Sequence, residues 1–143
     1  MNSISCGSEI LVRPGKLSSN LNINKVCATA TPLVIKSLNG LSATVANNVI
    51  IENKISLAGS SVCLVGMHFK GSNARLEIGG DRNHALANKF EGWGQGNAVT
   101  FIKGSYGELA YSDISNPERW PTTVAESHAH NDYTLRMGVR TID

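Results

Sequence analysis

The sequence predicts an all-β fold: a single-stranded, right-handed parallel β-helix, a short solenoid of about five to six coils. Three observations predict it. Gly, Asn and Ser, with 14, 14 and 15 copies, supply 43 of the 143 residues and favour turns. Ile and Val, with 11 and 10 copies, favour strands. The third observation is a repeat in the middle of the chain.

The repeat consists of residues 57–69, 78–90 and 102–114, which align without gaps at offsets of 21 and 24. Each unit opens on an aliphatic residue, has glycine two places later and closes on a large apolar residue. The aliphatic residues are Leu57, Ile78 and Ile102, the glycines are Gly59, Gly80 and Gly104, and the closing apolar residues are Phe69, Phe90 and Ile114. We expect the apolar residues to point inwards and the glycines to form tight corners. Gly138 is a candidate for a fourth unit.

A period just above twenty residues is too short for a propeller blade, and the units lack the helical half of ankyrin or tetratricopeptide repeats. Short extended runs separated by turns instead predict units that stack into parallel sheets with one face in the core. Residues 1–143 would then form one domain. A β-sandwich with accidental spacing is the alternative.

Short strand-like segments separated by turns also occur outside the repeat. Upstream, four runs with apolar or alternating character predict strands: residues 9–15, which end in a Pro-Gly turn, 21–26, 32–37 and 49–52. Turn signals such as Pro14-Gly15 and Asn39-Gly40 separate them. Downstream, two prolines interrupt residues 116–132, which we expect to protrude as a loop.

Charge and hydropathy exclude some partners. A net charge of +2 is too weak for nucleic acid, which calls for a clustered basic surface. No apolar run approaches the roughly 18–20 residues of a transmembrane helix, so no membrane partner is expected. The first nine residues lack the basic and apolar regions of a signal peptide. The localisation is therefore open between a cytoplasmic protein and a chain without its natural start.

The three cysteines, Cys6, Cys27 and Cys63, are odd in number and show no C-x-x-C spacing. That pattern argues against both a zinc site and a disulfide framework. Cys63 stands in the apolar run 62–65, and we expect it in the core because free cysteine behaves as a small hydrophobe.

Other polar residues offer weaker signals. We expect His68 and His84 on the lateral surface, and nothing orients Glu108 and Asp113 as a carboxylate pair. His128-Ala-His130-Asn-Asp132 has the spacing of a metal group, but an ordinary exposed loop has the same composition, so no metal site is expected.

Four runs have the character of successive solenoid coils: Glu9-Ile-Leu-Val-Arg-Pro-Gly15, Thr31-Pro-Leu-Val-Ile-Lys36, Leu64-Val-Gly-Met-His-Phe-Lys-Gly71 and Asn83-His-Ala-Leu-Ala-Asn-Lys-Phe90. They resemble the opening coils of the alginate lyase and chondroitinase B family of polysaccharide lyases. The resemblance implies an acidic, uronate-containing polysaccharide as partner and β-elimination as reaction. Members of that family are typically secreted or periplasmic.

In β-elimination a base removes the proton α to the carboxylate and an acid protonates the departing glycosidic oxygen. Ile102-Lys103-Gly104-Ser105 is similar to the family's lysine run, which implies Lys103 as the base. Tyr133-Thr-Leu-Arg-Met-Gly138 is similar to its arginine run, which implies Arg136 as the acid. The family's calcium-binding E-x-E is replaced here by Gly96-Asn97-Ala98, so no cofactor is expected, and whether the chain is an enzyme is left open.

Further residues are candidates for binding substrate, either as aromatic platforms for sugar rings or as partners of acidic groups: Tyr106, Tyr111, Trp120, His128, His130 and Arg140. The aromatic residues have an alternative role as plugs at the ends of the solenoid. The alternative function is a non-catalytic β-helix module for carbohydrate binding or for structural interaction. Because a short solenoid exposes unpaired backbone at its ends, we also expect a homo-oligomer.

Overall fold

The regular structure of the described residues is extended, apart from one short 3-10 helix, Val45–Asn47. A computed structural model of the chain describes residues 3–42, 44–92 and 98–115. Its strands are β1 (Glu9–Val12), β2 (Gly15–Leu17), β3 (Leu21–Ile23), β4 (Leu33–Ser37), β5 (Val49–Ile51), β6 (Lys54–Leu57), β7 (Val62–Val65), β8 (His68–Lys70), β9 (Arg75–Ile78), β10 (His84–Leu86), β11 (Lys89–Glu91), β12 (Val99–Phe101), β13 (Glu108–Ala110) and β14 (Asp113–Ser115). All four upstream strands predicted from sequence are present.

The strands form three sheets, and each sheet takes every third strand of the chain. Sheet 1 has the order β1-β4-β7-β10-β13, sheet 2 the order β2-β5-β8-β11-β14, and sheet 3 the order β3-β6-β9-β12. Every strand pairing within them is parallel. The chain thus visits sheets 1, 2 and 3 in turn, and we call one such round a pass. The prediction of an all-β chain with parallel sheets is confirmed.

The register between passes follows the repeat at most positions. Leu57 pairs with Ile78, and Phe69 pairs with Phe90, which in turn pairs with Ile114. At the third opening position the prediction is wrong by one residue. Ile78 pairs with Phe101, and Ile102, which we expected to point inwards, is 57% exposed. The connection between sheet 3 and the glycine corner is therefore one residue longer in that pass.

The core lies between the sheets and is built from alternate strand residues. In β6, for example, Ile55 and Leu57 are buried while Lys54 and Ser56 are not, because successive side chains of a strand point to opposite faces. The rings of Phe69 and Phe90 stack in the interior with centroids 4.6 Å apart. The neighbouring passes therefore interlock through side chains as well as through backbone hydrogen bonds.

Two buried asparagines satisfy backbone groups where the chain turns between sheets. The Asn83 side chain accepts a hydrogen bond from the Val62 N–H at 3.0 Å and donates to the Gly59 carbonyl at 2.9 Å. Asn88 accepts from the Met67 N–H at 2.8 Å and donates to the Leu64 carbonyl at 3.2 Å. Both are fully buried, so they supply partners that no strand provides at these corners.

The cysteine expectations are corrected by the structure. Cys6 and Cys27 form a disulfide that joins the segment before β1 to the segment after β3. An odd number of cysteines does not argue against such a bond, because two of the three can pair and leave one free. That third residue, Cys63, is half-buried on the outer side of β7 rather than in the core, since its neighbours Val62 and Leu64 take the inward positions.

Two further predictions concern residues that the structure does not describe. The predicted loop at residues 116–132 and the candidate fourth unit at Gly138 lie outside the described residues. Within the described ranges, no helix is long and apolar enough to cross a membrane.

Candidate functional site

The outer face of sheet 3 carries a ladder of polar side chains, one from each pass. Asn22 pairs in register with Ser56, Ser56 with Glu77, and Glu77 with Thr100. The ladder arises because each of these residues stands between two inward-pointing neighbours in the sequence, as Ser56 stands between Ile55 and Leu57. It crosses four strands, a distance of roughly 14 Å at about 4.8 Å per strand spacing.

A groove of about 530 Å³ lies over this face, which we call the sheet-3 groove. Its polar lining comes from Asn20, Asn22, Lys54, Ser56, Glu77 and Lys103. Glu77 holds two of these side chains in place, since its Oε1 accepts a hydrogen bond from Ser56 Oγ at 2.9 Å and lies 3.2 Å from Lys54 Nζ. Partial burial raises the pKa of Glu77, but the bonds from Ser56 and Lys54 outweigh it, and the net pKa lies below its ordinary value.

Lys103 is exposed and lines the sheet-3 groove at the end where sheet 3 turns towards sheet 1. Tyr106 follows it in the same connection between β12 and β13, and the guanidinium of Arg82 lies 4.8 Å from the centre of its ring. Tyr111 is 87% exposed but lies in the next connection, between β13 and β14. The structure thus places Lys103 and Tyr106 in one connection and Tyr111 in the next, and of the three Lys103 lines the sheet-3 groove.

Five predicted site residues lie outside the described residues: Trp120, His128, His130, Arg136 and Arg140. Their roles stay predictions. Among the residues that are described, no group of three or more His, Cys, Asp or Glu side chains is placed to hold a metal ion. We assign no step to a metal.

Sheet 2 contains a cluster around His68, which is 1% exposed instead of lying on the lateral surface as expected. His68 Nε2 lies 3.3 Å from Glu91 Oε1, and Lys89 Nζ lies 3.5 Å from Glu91 Oε2. The Asn48 amide lies 3.4 Å from His68 Nδ1 on the other side of the ring. Two hydrogen bonds with the Ser42 backbone hold the Asn48 amide in this position, since its Oδ1 accepts from the Ser42 N–H and its Nδ2 donates to the Ser42 carbonyl. The contact with Asn48 explains in part why an outward-facing histidine is buried.

Sheet 1 contains a third cluster, which the sequence reasoning missed. Cys63 pairs in register with His84, and His84 pairs with Glu108. His84 Nδ1 lies 3.1 Å from Glu108 Oε1. Glu108 and Asp113, considered above as a carboxylate pair, lie in different sheets. The repeat itself is the sequence signal for this cluster. Cys63 and His84 are 21 positions apart, and His84 and Glu108 are 24 apart, which are the offsets of the repeat.

No protein-family model matches the chain, and no curated protein shows significant similarity to it.

Proposed function

We propose that this chain is a short right-handed parallel β-helix that binds an acidic polysaccharide in the sheet-3 groove and cleaves it by β-elimination. Support for the fold comes from the strand order, since a chain that visits three parallel sheets in turn winds around a common axis. The right hand follows from the strong preference of parallel β-crossovers for right-handed connections.

The observation that carries the proposed binding function is the sheet-3 groove itself. It is open, runs across the strands β3, β6 and β9 and presents amide, hydroxyl, carboxylate and amine groups. Such a row matches an extended sugar chain, whose hydroxyls need donors and acceptors at regular intervals. Lys54 is already paired with Glu77. No carboxylate among the described residues lies within ion-pair distance of Lys103, so its amine is available for a uronate carboxylate.

The proposed chemistry assigns two proton transfers to this chain. Lys103 takes the proton α to the uronate carboxylate, and its positive charge then stabilises the negative charge that develops there. Arg136, which lies outside the described residues, donates to the departing glycosidic oxygen by analogy with the lyase family. The Cys6–Cys27 disulfide supports an extracellular substrate, because disulfides persist mainly in oxidising compartments.

The test is incubation with alginate, chondroitin and pectate, followed by direct binding measurements and by the ultraviolet absorbance of unsaturated uronate products. We expect Lys103→Ala to weaken binding of one of these polymers and to abolish product formation. Lys36→Ala is the matched control, because Lys36 is an exposed lysine on the outer face of sheet 1. Binding without product would establish the non-catalytic carbohydrate module instead. No binding by the wild-type chain to any of the three polymers would overturn the proposal.

A second candidate function, self-association through the β1–β3 end, is favoured by a different observation. A cavity of about 330 Å³ opens there and is lined mainly by core residues, among them Ile23, Val49 and Ile51. The strands β1, β2 and β3 are also sheet edges, and edges with unpaired backbone groups promote pairing with another chain. Light scattering tests the assembly, and a monodisperse monomer at high concentration would exclude it.

A further inference from the structure

The outer face of sheet 1 aligns a thiol, an imidazole and a carboxylate on three adjacent strands. Cys63 in β7, His84 in β10 and Glu108 in β13 are register partners. The inward neighbours Leu64, Ala85 and Leu109 are buried, which fixes the three polar side chains on the opposite face. Parallel strands lie about 4.8 Å apart, so the three residues stand in a row across the strands with His84 in the middle.

The contact between His84 and Glu108 determines which ring nitrogen is basic. A carboxylate only accepts hydrogen bonds, so the 3.1 Å contact between Nδ1 and Glu108 Oε1 places the proton of the neutral imidazole on Nδ1. Nε2 then carries the free lone pair. Within the described part of the chain, Nε2 has no hydrogen-bond partner. Glu108 is only 8% exposed, and a buried carboxylate holds this ring orientation firmly.

A concave space accompanies the row. A cavity of about 310 Å³ lies beside Cys63 and His84, with Val34 and Leu86 as apolar wall and Arg82 as its cationic group. Arg82 is positioned by its stacking on the Tyr106 ring. A nucleophile, a base oriented by a carboxylate, and a cation beside an apolar pocket are the parts that acyl transfer requires.

We propose that Cys63, His84 and Glu108 form a nucleophile–base–carboxylate triad that hydrolyses esters of short-chain carboxylic acids. His84 Nε2 takes the thiol proton as Cys63 Sγ attacks the ester carbonyl carbon and the S–C bond forms. Arg82 stabilises the charge on the carbonyl oxygen. The C–O bond to the alcohol then breaks, and the alcohol leaves with the proton from His84. An acyl group remains on Cys63 as a thioester.

Water completes the cycle. It attacks the thioester carbonyl while His84 Nε2 takes one of its protons, the S–C bond breaks, and the thiol recovers that proton. The net reaction converts ester and water into acid and alcohol and needs no redox partner. Burial and the charge of Glu108 raise the pKa of the Cys63 thiol, so the resting thiol is neutral and attack depends on proton transfer to His84.

The experiment measures release of p-nitrophenol from p-nitrophenyl acetate and butyrate by the full chain. We expect Cys63→Ala to reduce kcat/KM to the background of surface lysines, and His84→Ala to reduce it by about 10²- to 10⁴-fold. Glu108 is a positioning residue, so Glu108→Gln should lower kcat while leaving KM unchanged. Mass spectrometry of the quenched reaction should place one acyl group on Cys63.

The matched control moves the thiol along the same face. Val65 lies two residues from Cys63 in β7 and pairs with Leu86 instead of His84. The double variant Cys63→Ala/Val65→Cys should therefore be acylated slowly and not turn over. Wild-type activity equal to that of Cys63→Ala, an acyl group found only on lysine, or full turnover by the moved thiol would each overturn the triad. Circular dichroism verifies that every variant is folded.

Discussion

The backbone of Gly80 lies so close to that of Gly59 that a Cβ atom on Gly80 would stand 1.8 Å from the Gly59 carbonyl oxygen. Gly80 also has φ +63°, a left-handed conformation that costs other residues roughly 1–2 kcal/mol. Gly104 repeats the relationship one pass later, against the Gly80 carbonyl. The glycine column of the sequence repeat is therefore a point of backbone contact between consecutive passes.

Gly80→Ala should accordingly destabilise the chain by more than the roughly 1–2 kcal/mol that the left-handed conformation alone costs. Gly40→Ala is the control, because Gly40 has φ +64° and nothing lies within 4 Å of its Cβ position. Urea unfolding of both variants separates the two effects. Equal losses of unfolding free energy would show that the close approach contributes nothing.

The repeat made much of this fold predictable. Its glycine columns predicted the corners, and its apolar columns predicted that Phe69 and Phe90 occupy equivalent inward positions, because both depend on residues at fixed offsets. The error at Ile102 arose because the connection from β12 to Gly104 is one residue longer than that from β9 to Gly80. An alignment without gaps on the glycines therefore matched Ile102, and not Phe101, with Ile78. The burial of His68 was missed because it depends in part on the contact with the distant Asn48, and no local pattern records such a contact.

The candidate sites were less predictable than the fold. Lys103 was predicted through a family resemblance, and the structure adds the groove that it lines. Cys63, His84 and Glu108 share a column of the repeat, but the residue type of each, taken alone, does not indicate the row that they form. In a chain whose successive passes pair in parallel sheets, residues at the same repeat position lie on neighbouring strands. Polar residues at one repeat position should therefore be considered together.

The Cys6–Cys27 disulfide should contribute about 3 kcal/mol to stability, since it closes a loop across a sequence separation of 21 residues. Cys27→Ser should lower the free energy of unfolding by that amount, and dithiothreitol should lower that of the wild type equally. The double variant Cys6→Ser/Cys27→Ser should be insensitive to the reductant. A wild type whose urea midpoint is unchanged by complete reduction would contradict the prediction.

The stacked rings of Phe69 and Phe90 join two passes at the centre of the core, and both side chains are at most 1% exposed. Phe90→Ala should cost about 3–5 kcal/mol, because the lost ring leaves a cavity that rigid sheets cannot close. Phe90→Leu retains most of the volume and should cost less. Thermal unfolding measures both. A Phe90→Ala loss no larger than that of Phe90→Leu would show that the passes collapse around the deletion.

The tautomer of His68 follows from its two neighbours. The Asn48 Nδ2 group is a donor, so the 3.4 Å contact makes His68 Nδ1 an acceptor and places the ring proton on Nε2, which donates to Glu91. Burial lowers the pKa of His68 below its ordinary 6.5, with Lys89 and Lys70 acting in the same direction and Glu91 opposing them. The folded state therefore favours the neutral ring.

The pH dependence of stability follows from these directions. Below pH 6.5 the unfolded chain binds a proton at His68 that the folded chain does not, so the free energy of unfolding should fall as the pH decreases. A second loss should begin as the pH falls through 4.5, because Lys89 and His68 lower the pKa of Glu91 below that value despite partial burial. Urea unfolding across this range measures both losses. His68→Gln should remove the first loss and keep the second, whereas an unchanged slope just below pH 6.5 in that variant would assign the loss to another group.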